Sequence, residues 1–188
     1  MERPSEIIPG EDFVLRRWQE SDLKAAFTLI RESADHLLPW MPWVAEHTEQ
    51  NTRDFLAKAE ARWTACEVFN YAVIKDGTPV GMCQAYRGGE PPSWWLGYWL
   101  HPAATGQGIA TRATAALVTE MFTLPDVDYL EISHDRANVP SSAVPRRLGF
   151  TQIRHEQQPA PTTPPATGIE VIWRLNRPKP ASDPTPAP

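Results

Sequence analysis

The stretch LGYWLHPAATGQGIATRA, from Leu96 to Ala113, joins two kinds of periodicity in one short run. Its first part is an aromatic strand ending near Leu100. Pro102 stops the strand, and Gly106 and Gly108 mark the start of a helix. From about Gly108 to Phe122, Ala110, Ala113, Leu117 and Met121 recur on one stripe with the 3.6-residue period of an amphipathic helix. Pro125 ends that helix, and Tyr129 to Ser133 reads as another strand. Strand, helix and strand in this order predict a parallel β-α-β crossover, right-handed by the general rule.

Upstream, Phe69 to Ile74, Pro79 to Tyr86 and Trp94 to Leu100 form three strands. Asp76-Gly77 and the Gly88-Gly89 to Pro91-Pro92 segment supply the turns of an antiparallel meander. Phe13 to Trp18 reads as a short strand. Ser21 is expected to cap a helix carrying Leu23, Ala26, Phe27 and Ile30. Pro39 and Pro42 forbid a regular helix between His36 and His47. A second helix is expected from Asn51 or Thr52, with Phe55, Leu56, Ala59 and Trp63 on one face. Downstream, a short helix from Ser141 to Leu148 stops at Gly149, and Thr151 to Glu156 and Ile169 to Leu175 are closing strands. The fold class is α+β: a mixed, mostly antiparallel twisted sheet with a central parallel β-α-β crossover and flanking helices.

The chain has 188 residues, 41% hydrophobic and 22% charged, which suits one globular domain over residues 1–177. Nine of its 20 prolines fall in Gln157 to Gly168, a long loop, and in Pro178 to Pro188, expected as a disordered tail. The net charge of −5 argues against a protein built to grip phosphate backbones. Two cysteines without a Cys-x-x-Cys pair read as reduced thiols, and five histidines form no metal set, so no metal is expected. No apolar run reaches membrane-span length and the N-terminus lacks a secretory pattern, so a cytoplasmic location is expected.

Two glycines at a strand-to-helix junction let the backbone approach a ligand closely, and the free N–H groups of the first helical turn favour an anion such as phosphate. Neither GxxxxGK[ST] nor GxGxxG is present. The phosphate-cradling lysine and metal carboxylates of a nucleotide hydrolase or kinase therefore lack their context.

In its surroundings the segment resembles the GNAT superfamily of acyl-CoA-dependent N-acetyltransferases. The family's [Q/R]-x-x-G-x-[G/A] motif matches Thr105, Gly106, Gln107, Gly108, Ile109 and Ala110, with Thr105 in place of the usual Gln or Arg. LGYWLHP resembles the strand before the motif, and RANVPSSAVPRRLGF the family's Asn, Ser and Leu-Gly-Phe segment. FVLRRWQESDL and LLPWMPW resemble the opening of the ribosomal-protein N-terminal acetyltransferase branch.

The resemblance implies acetyl-CoA, or another acyl-CoA, as co-substrate. Its pyrophosphate would lie on the amides of Gly106 to Ala110, with the Thr111 hydroxyl beside them. Its pantetheine would pair with Trp99, Leu100 and His101. Asn138 and Ser141 match polar residues at the pantetheine and thioester end, Ser141 either as a proton donor to the leaving thiolate or as a group that fixes the thioester. The amide of Leu100 or His101 would polarise the thioester carbonyl. Read from the residues alone, the alternative for Asn138 is a turn residue capping the last helix, and for Ser141 an N-terminal helix residue. The acceptor is a primary amine of a small molecule, peptide or protein N-terminus. Glu46, Glu67, His134 and Asp135 are the candidate general bases. Trp40, Trp43 and Glu46 are candidate substrate contacts, with one of the tryptophans expected as a core plug. Pro145 inside the short helix is expected to kink it or delay its start. At least one of Trp94, Trp95 and Trp99 is expected to face solvent or a partner, in a monomer or homodimer. An aminoacyl-tRNA-dependent transferase of the same fold and a silent acyl-CoA-binding module are the alternatives.

Overall fold

The computed structural model describes residues 2–88, 93–158 and 164–178. Eight strands form one sheet in the order β1-β2-β3-β4-β5-β6-β8-β7. They are β1 (Ile7–Pro9), β2 (Val14–Arg17), β3 (Val68–Lys75), β4 (Thr78–Gly88), β5 (Ser93–Leu100), β6 (Tyr129–Asp135), β7 (Thr151–Gln157) and β8 (Ile169–Asn176). β5 and β6 are parallel and every other neighbouring pair is antiparallel. The mixed sheet and its parallel crossover stand as read from sequence. β1 was not expected: three residues with a proline carry no readable period. The Gly89 to Pro92 turn, part of the proline-rich loop and residues 179–188 lie outside the described residues.

Helix α1 (Leu23–Glu32) follows a 3-10 turn at Glu20–Asp22. Ser21 does not cap it. The turn is closed by the Gln19 N–H donating to Asp22 Oδ2 at 2.9 Å. After the short α2 (Ala34–Leu37), Pro42 opens a second 3-10 turn at Pro42–Glu46. α3 (Glu49–Thr64) starts earlier than the apolar stripe suggested, because Thr48 accepts the Asn51 N–H and Asn51 returns a bond to the Thr48 backbone. α4 (Ile109–Met121) crosses between β5 and β6, and α5 (Val139–Arg147) follows β6. None of these helices is long and apolar enough to cross a membrane.

The sheet separates two cores. On one face Ile109, Ala113, Leu117 and Met121 of α4 pack on Phe69, Tyr71, Cys83, Ala85 and Leu96. Truncating a side chain such as Leu117 there costs about 2–5 kcal/mol. On the other face α1 to α3 cover Ala72 and Trp99. Trp94 and Trp99 are buried and Trp95 is half-buried. Trp95 keeps part of its ring toward solvent, under the Arg154 guanidinium and on the wall of a surface pocket with Tyr86 and Glu156. Cys66 and Cys83 are buried free thiols.

Candidate active site

β5 and β6 pair only where Trp94, Trp95 and Leu96 meet Leu130, Glu131 and Ile132. The closed end is clamped by the buried Glu131 carboxylate. It accepts from Ser93 on β5 at 3.2 Å, Arg154 on β7 at 3.2 Å and Arg174 on β8 at 2.8 Å. Beyond Leu96 the two strands separate. The His101 N–H donates to the Val80 carbonyl at 2.8 Å and so points at β4. Successive backbone groups of a strand alternate sides, so Trp99 also faces β4, whereas the N–H and C=O groups of Tyr98 and Leu100 face the split. The backbone edge expected at Trp99 to His101 is thus shifted: Leu100 keeps its place, Tyr98 joins it, and the His101 amide is already engaged. The His101 side chain accepts the Ala103 N–H at 3.1 Å and closes the turn after β5.

The glycine loop follows. Gly106 and Gly108 both have φ of +73°, a left-handed conformation that L side chains resist. Gly108 caps α4. Ile109, Ala110 and Thr111 open the helix, so their N–H groups have no carbonyl one turn back. The Thr105 hydroxyl donates to the Pro102 carbonyl at 2.7 Å, a turn-closing role rather than an anion contact. Gln107 Nε2 donates to the Ala103 carbonyl at 2.9 Å. Arg112 Nη1 donates to the Gln107 carbonyl at 2.9 Å, and its Nη2 to Asp12 at 2.6 Å. Lys75 donates to Asp12 at 2.9 Å and to Gln107 Oε1 at 3.4 Å. Hydrogen bonds from Lys75 and Arg112 hold the Asp12 carboxyl below its ordinary range. This brace of Asp12, Lys75 and Arg112 escaped the sequence reading because its members lie far apart in the chain.

A cavity of about 370 Å³ occupies the open end of the split, lined among others by Trp40, Tyr98, Ser133, Asn138, Ser141 and Glu170. Asn138 Oδ1 accepts the Ser141 N–H at 3.2 Å, so Asn138 caps α5 while also facing the cavity. α5 begins at Val139, before Ser141, with Pro145 accommodated inside it. The expected late start does not occur. Pro145 has no N–H to offer the Ser141 carbonyl, and the Tyr98 hydroxyl takes that place at 3.0 Å. Tyr98 Oη also lies 3.1 Å from Ser141 Oγ. With its proton on the carbonyl, Tyr98 accepts the Ser141 hydroxyl proton. Burial pushes the Tyr98 phenol up to about 12, so it stays protonated. Tyr98 was legible only as a strand residue.

Three of the four base candidates are committed elsewhere or exposed, and the fourth holds both ring nitrogens in bonds. Glu67 is exposed and paired with Arg62 at 3.6 Å. Glu46 is exposed, in a shallow groove beside Trp43 and His47. His134 is buried; its Nδ1 lies 2.9 Å from the Asp135 carbonyl, and its Nε2 accepts from Trp173 Nε1 at 2.9 Å. Asp135 accepts from the N–H groups of Ala137, Thr167 and Gly168 and from the Thr167 hydroxyl. Burial alone raises its carboxyl, but those donors outweigh burial and keep it below the ordinary value. Glu170, not singled out in the sequence, lines the cavity, and burial raises its carboxyl.

A second cavity, of about 440 Å³, lies on the α1–α3 face, between Trp43, His47, Phe55, Asn70, Gln84 and Trp99 among others. Trp40 is half-buried on the first cavity, and Trp43 is 48% exposed at the rim of the second. Neither is a core plug; Leu37 and Val44 fill that role in this segment.

The family model described as an acetyltransferase (GNAT) domain matches residues 12–151. An aminoglycoside N(6')-acetyltransferase type 1 of Klebsiella pneumoniae is 24% identical over 181 residues, covering 87% of this chain and 83% of that protein. The structure of RimL, a ribosomal L7/L12 alpha-N-protein acetyltransferase in complex with coenzyme A, has a TM-score of 0.83 at 22% identity, over 91% of this chain and 98% of that one. Mycobacterium smegmatis RimJ in complex with CoA-disulfide has a TM-score of 0.79 at 24% identity, over 93% and 90% of the two chains. At these identities the structural likeness concerns the fold. The matched family span contains the split strands, the glycine loop and the Asn138–Ser141 turn, and the chain belongs to the GNAT acetyltransferase family.

Proposed function

We propose that this N-acetyltransferase moves an acetyl group from acetyl-CoA to a primary amine by direct attack at the open end of the β5–β6 split. The observation that carries this reading is the unpaired backbone edge at Tyr98 and Leu100, continuous in sequence with the left-handed loop that opens α4. These residues fit acyl-CoA. An extended pantetheine arm pairs with a free strand edge, and a pyrophosphate suits the unpartnered N–H groups and positive end of a helix.

Acyl-CoA supplies the activated acyl group as a thioester. Gly106 to Thr111 hold the pyrophosphate end through their backbone amides. The Leu100 N–H polarises the thioester carbonyl as a preorganised donor. Glu170 accepts the proton that the attacking amine loses, directly or through one water. An α-amine of pKa near 8 is about 10% neutral at pH 7, so it needs modest help, whereas a lysine-type amine needs far more. Tyr98, anchored on the Ser141 carbonyl, positions the Ser141 hydroxyl, and that hydroxyl turns from Tyr98 to the departing sulfur to give it a proton, which solvent replaces. Asn138 fixes Ser141 by capping its helix. The test is thiol release from acetyl-CoA across a panel of primary amines, with Tyr98→Phe, Ser141→Ala and Glu170→Gln as variants.

A further inference from the structure

We propose that Gln84 restricts the donor to a short acyl group, because its side chain walls the thioester end of the split off from the apolar cavity on the α1–α3 face; this rests on the acyl-CoA reading of the split. Gln84 on β4 and Gly97 on β5 are cross-strand partners. Alternate residues of a strand share a face, so Gly97 stands between Trp95 and Trp99 on the α1–α3 side of β5. Its two neighbours carry bulky rings, and Gly97 carries no side chain. The gap is nevertheless filled. A Cβ at Gly97 would lie 3.0 Å from Gln84 Nε2, 3.3 Å from its Cγ and 3.6 Å from its Cδ. The Gln84 side chain therefore lies over Gly97 and takes the space that a larger β5 residue would occupy.

Two cavities border this one side chain. Gly97 lines the cavity of about 370 Å³, with Leu96 and Tyr98. Gln84 lines the cavity of about 440 Å³, with Ile30, Phe55, Met82 and Trp99. An acyl-CoA with its pyrophosphate at Gly106 to Thr111 runs back along the Leu100 and Tyr98 edge, so its acyl end points toward Gly97. An acetyl methyl stops short of Gln84. A longer chain continuing in that direction meets the Gln84 side chain, and a close-packed interior leaves no slack to absorb it. Pushing the Gln84 amide into the apolar cavity would strip its polar atoms of hydrogen-bond partners. Beyond it, aliphatic and aromatic walls suit an alkyl chain. The wall at Gln84, rather than a lack of room behind it, fixes the chain length.

The experiment uses the full chain. Acetyl-CoA and octanoyl-CoA are titrated calorimetrically into the parent, Gln84→Ala, Gln84→Ser and Gln84→Met, each first shown to keep its melting transition. A pocket that rejects one methylene discriminates by about 10–200-fold, so the parent is expected to bind octanoyl-CoA about tenfold or more weakly than acetyl-CoA. Gln84→Ala opens the wall and should tighten octanoyl-CoA about tenfold, with acetyl-CoA affinity unchanged within about twofold. Gln84→Ser shortens the side chain equally and carries the same test if the alanine variant does not fold. In either open variant the heat-capacity change on binding should be more negative for octanoyl-CoA than for acetyl-CoA, the mark of a buried apolar chain. Gln84→Met keeps the length of the side chain without its amide and should keep the parent's preference. A methionine variant that takes octanoyl-CoA as the alanine variant does would contradict the wall. If octanoyl-CoA binds the parent as tightly as acetyl-CoA, or its affinity does not change in the open variants, the assignment to Gln84 is overturned and the acetyltransferase reading stands. If the folded parent binds neither acyl-CoA, both fall.

Discussion

The Tyr98 hydroxyl donates to the Ser141 carbonyl at 3.0 Å, and that carbonyl is the one Pro145 leaves without a helical donor. A helix defect in α5 thus anchors a phenol of β5 beside the Ser141 hydroxyl, 3.1 Å away. Proton transfer at general-acid sites contributes roughly 10²–10⁴-fold. Tyr98→Phe and Ser141→Ala should each lower kcat about 10–100-fold and leave the acetyl-CoA dissociation constant within twofold. The double variant should be scarcely worse than the poorer single one, because the two hydroxyls act as one unit. Steady-state kinetics alongside calorimetry check this.

Pro145→Ala gives the Ser141 carbonyl a competing N–H. The helix gains a bond, and the Tyr98 hydroxyl loses exclusive hold of its acceptor. Tyr98→Phe should therefore destabilise the Pro145→Ala protein less than the parent. A coupling of about 0.5–1 kcal/mol is expected for residues sharing one hydrogen-bond acceptor. A double-mutant cycle by urea denaturation measures it, and strict additivity would remove the proposed link.

Burial raises the Glu170 carboxyl. The acid limb of kcat/KM should then have its midpoint above the ordinary carboxylate value of 4.5, and Glu170→Gln should abolish that limb. The sign for stability follows from linkage. A raised folded-state value gives a contribution that is full below the unfolded value and lost as pH rises through the folded one. Glu170→Gln should therefore gain stability relative to the parent as pH rises past that point, and show no gain at lower pH. Thermal melts across the acid range test both halves.

Asp135 behaves in the opposite direction. Burial opposes its charge, but donors from Ala137, Thr167 and Gly168 hold its carboxyl below 3.8. Its contribution is present above the unfolded value and lost as pH falls through the folded one. Asp135→Asn should cost about 1–2 kcal/mol at pH 7, the scale of hydrogen bonds to a partly exposed charged group, and the deficit should vanish in acid. Chemical denaturation at two pH values decides it.

Much of this was legible in the chain because it depends on neighbours in sequence. The meander, the crossover and the α4 stripe each repeat at a period that a short window reveals. Gly106 and Gly108 announce a left-handed turn by their own conformational needs. What stayed hidden depends on distant pairings. Glu170 and Tyr98 read as ordinary strand residues until the sheet order brings β8 beside β6 and the β5–β6 split exposes alternate residues. Asp12, Lys75 and Arg112 meet only in three dimensions. Ser21 and the α3 start were misread because caps further out in the sequence, Gln19 with Asp22 and Thr48 with Asn51, take the first-turn bonds. The proline in α5 was read as a break, whereas a tyrosine hydroxyl replaces the bond it removes.

The central claim is that acetyl-CoA binds at the glycine loop and the adjoining split. Gly108 caps α4 at φ +73°, and a Cβ there would sit 3.1 Å from Arg112 Nη1. Replacing it with tryptophan obstructs the loop without touching either buried core. Calorimetric titration of the parent protein and Gly108→Trp with acetyl-CoA is the direct measurement. The account predicts micromolar binding by the parent and at least a tenfold loss in a variant that retains its melting transition. Equal binding by both proteins, or none by the folded parent, would contradict it.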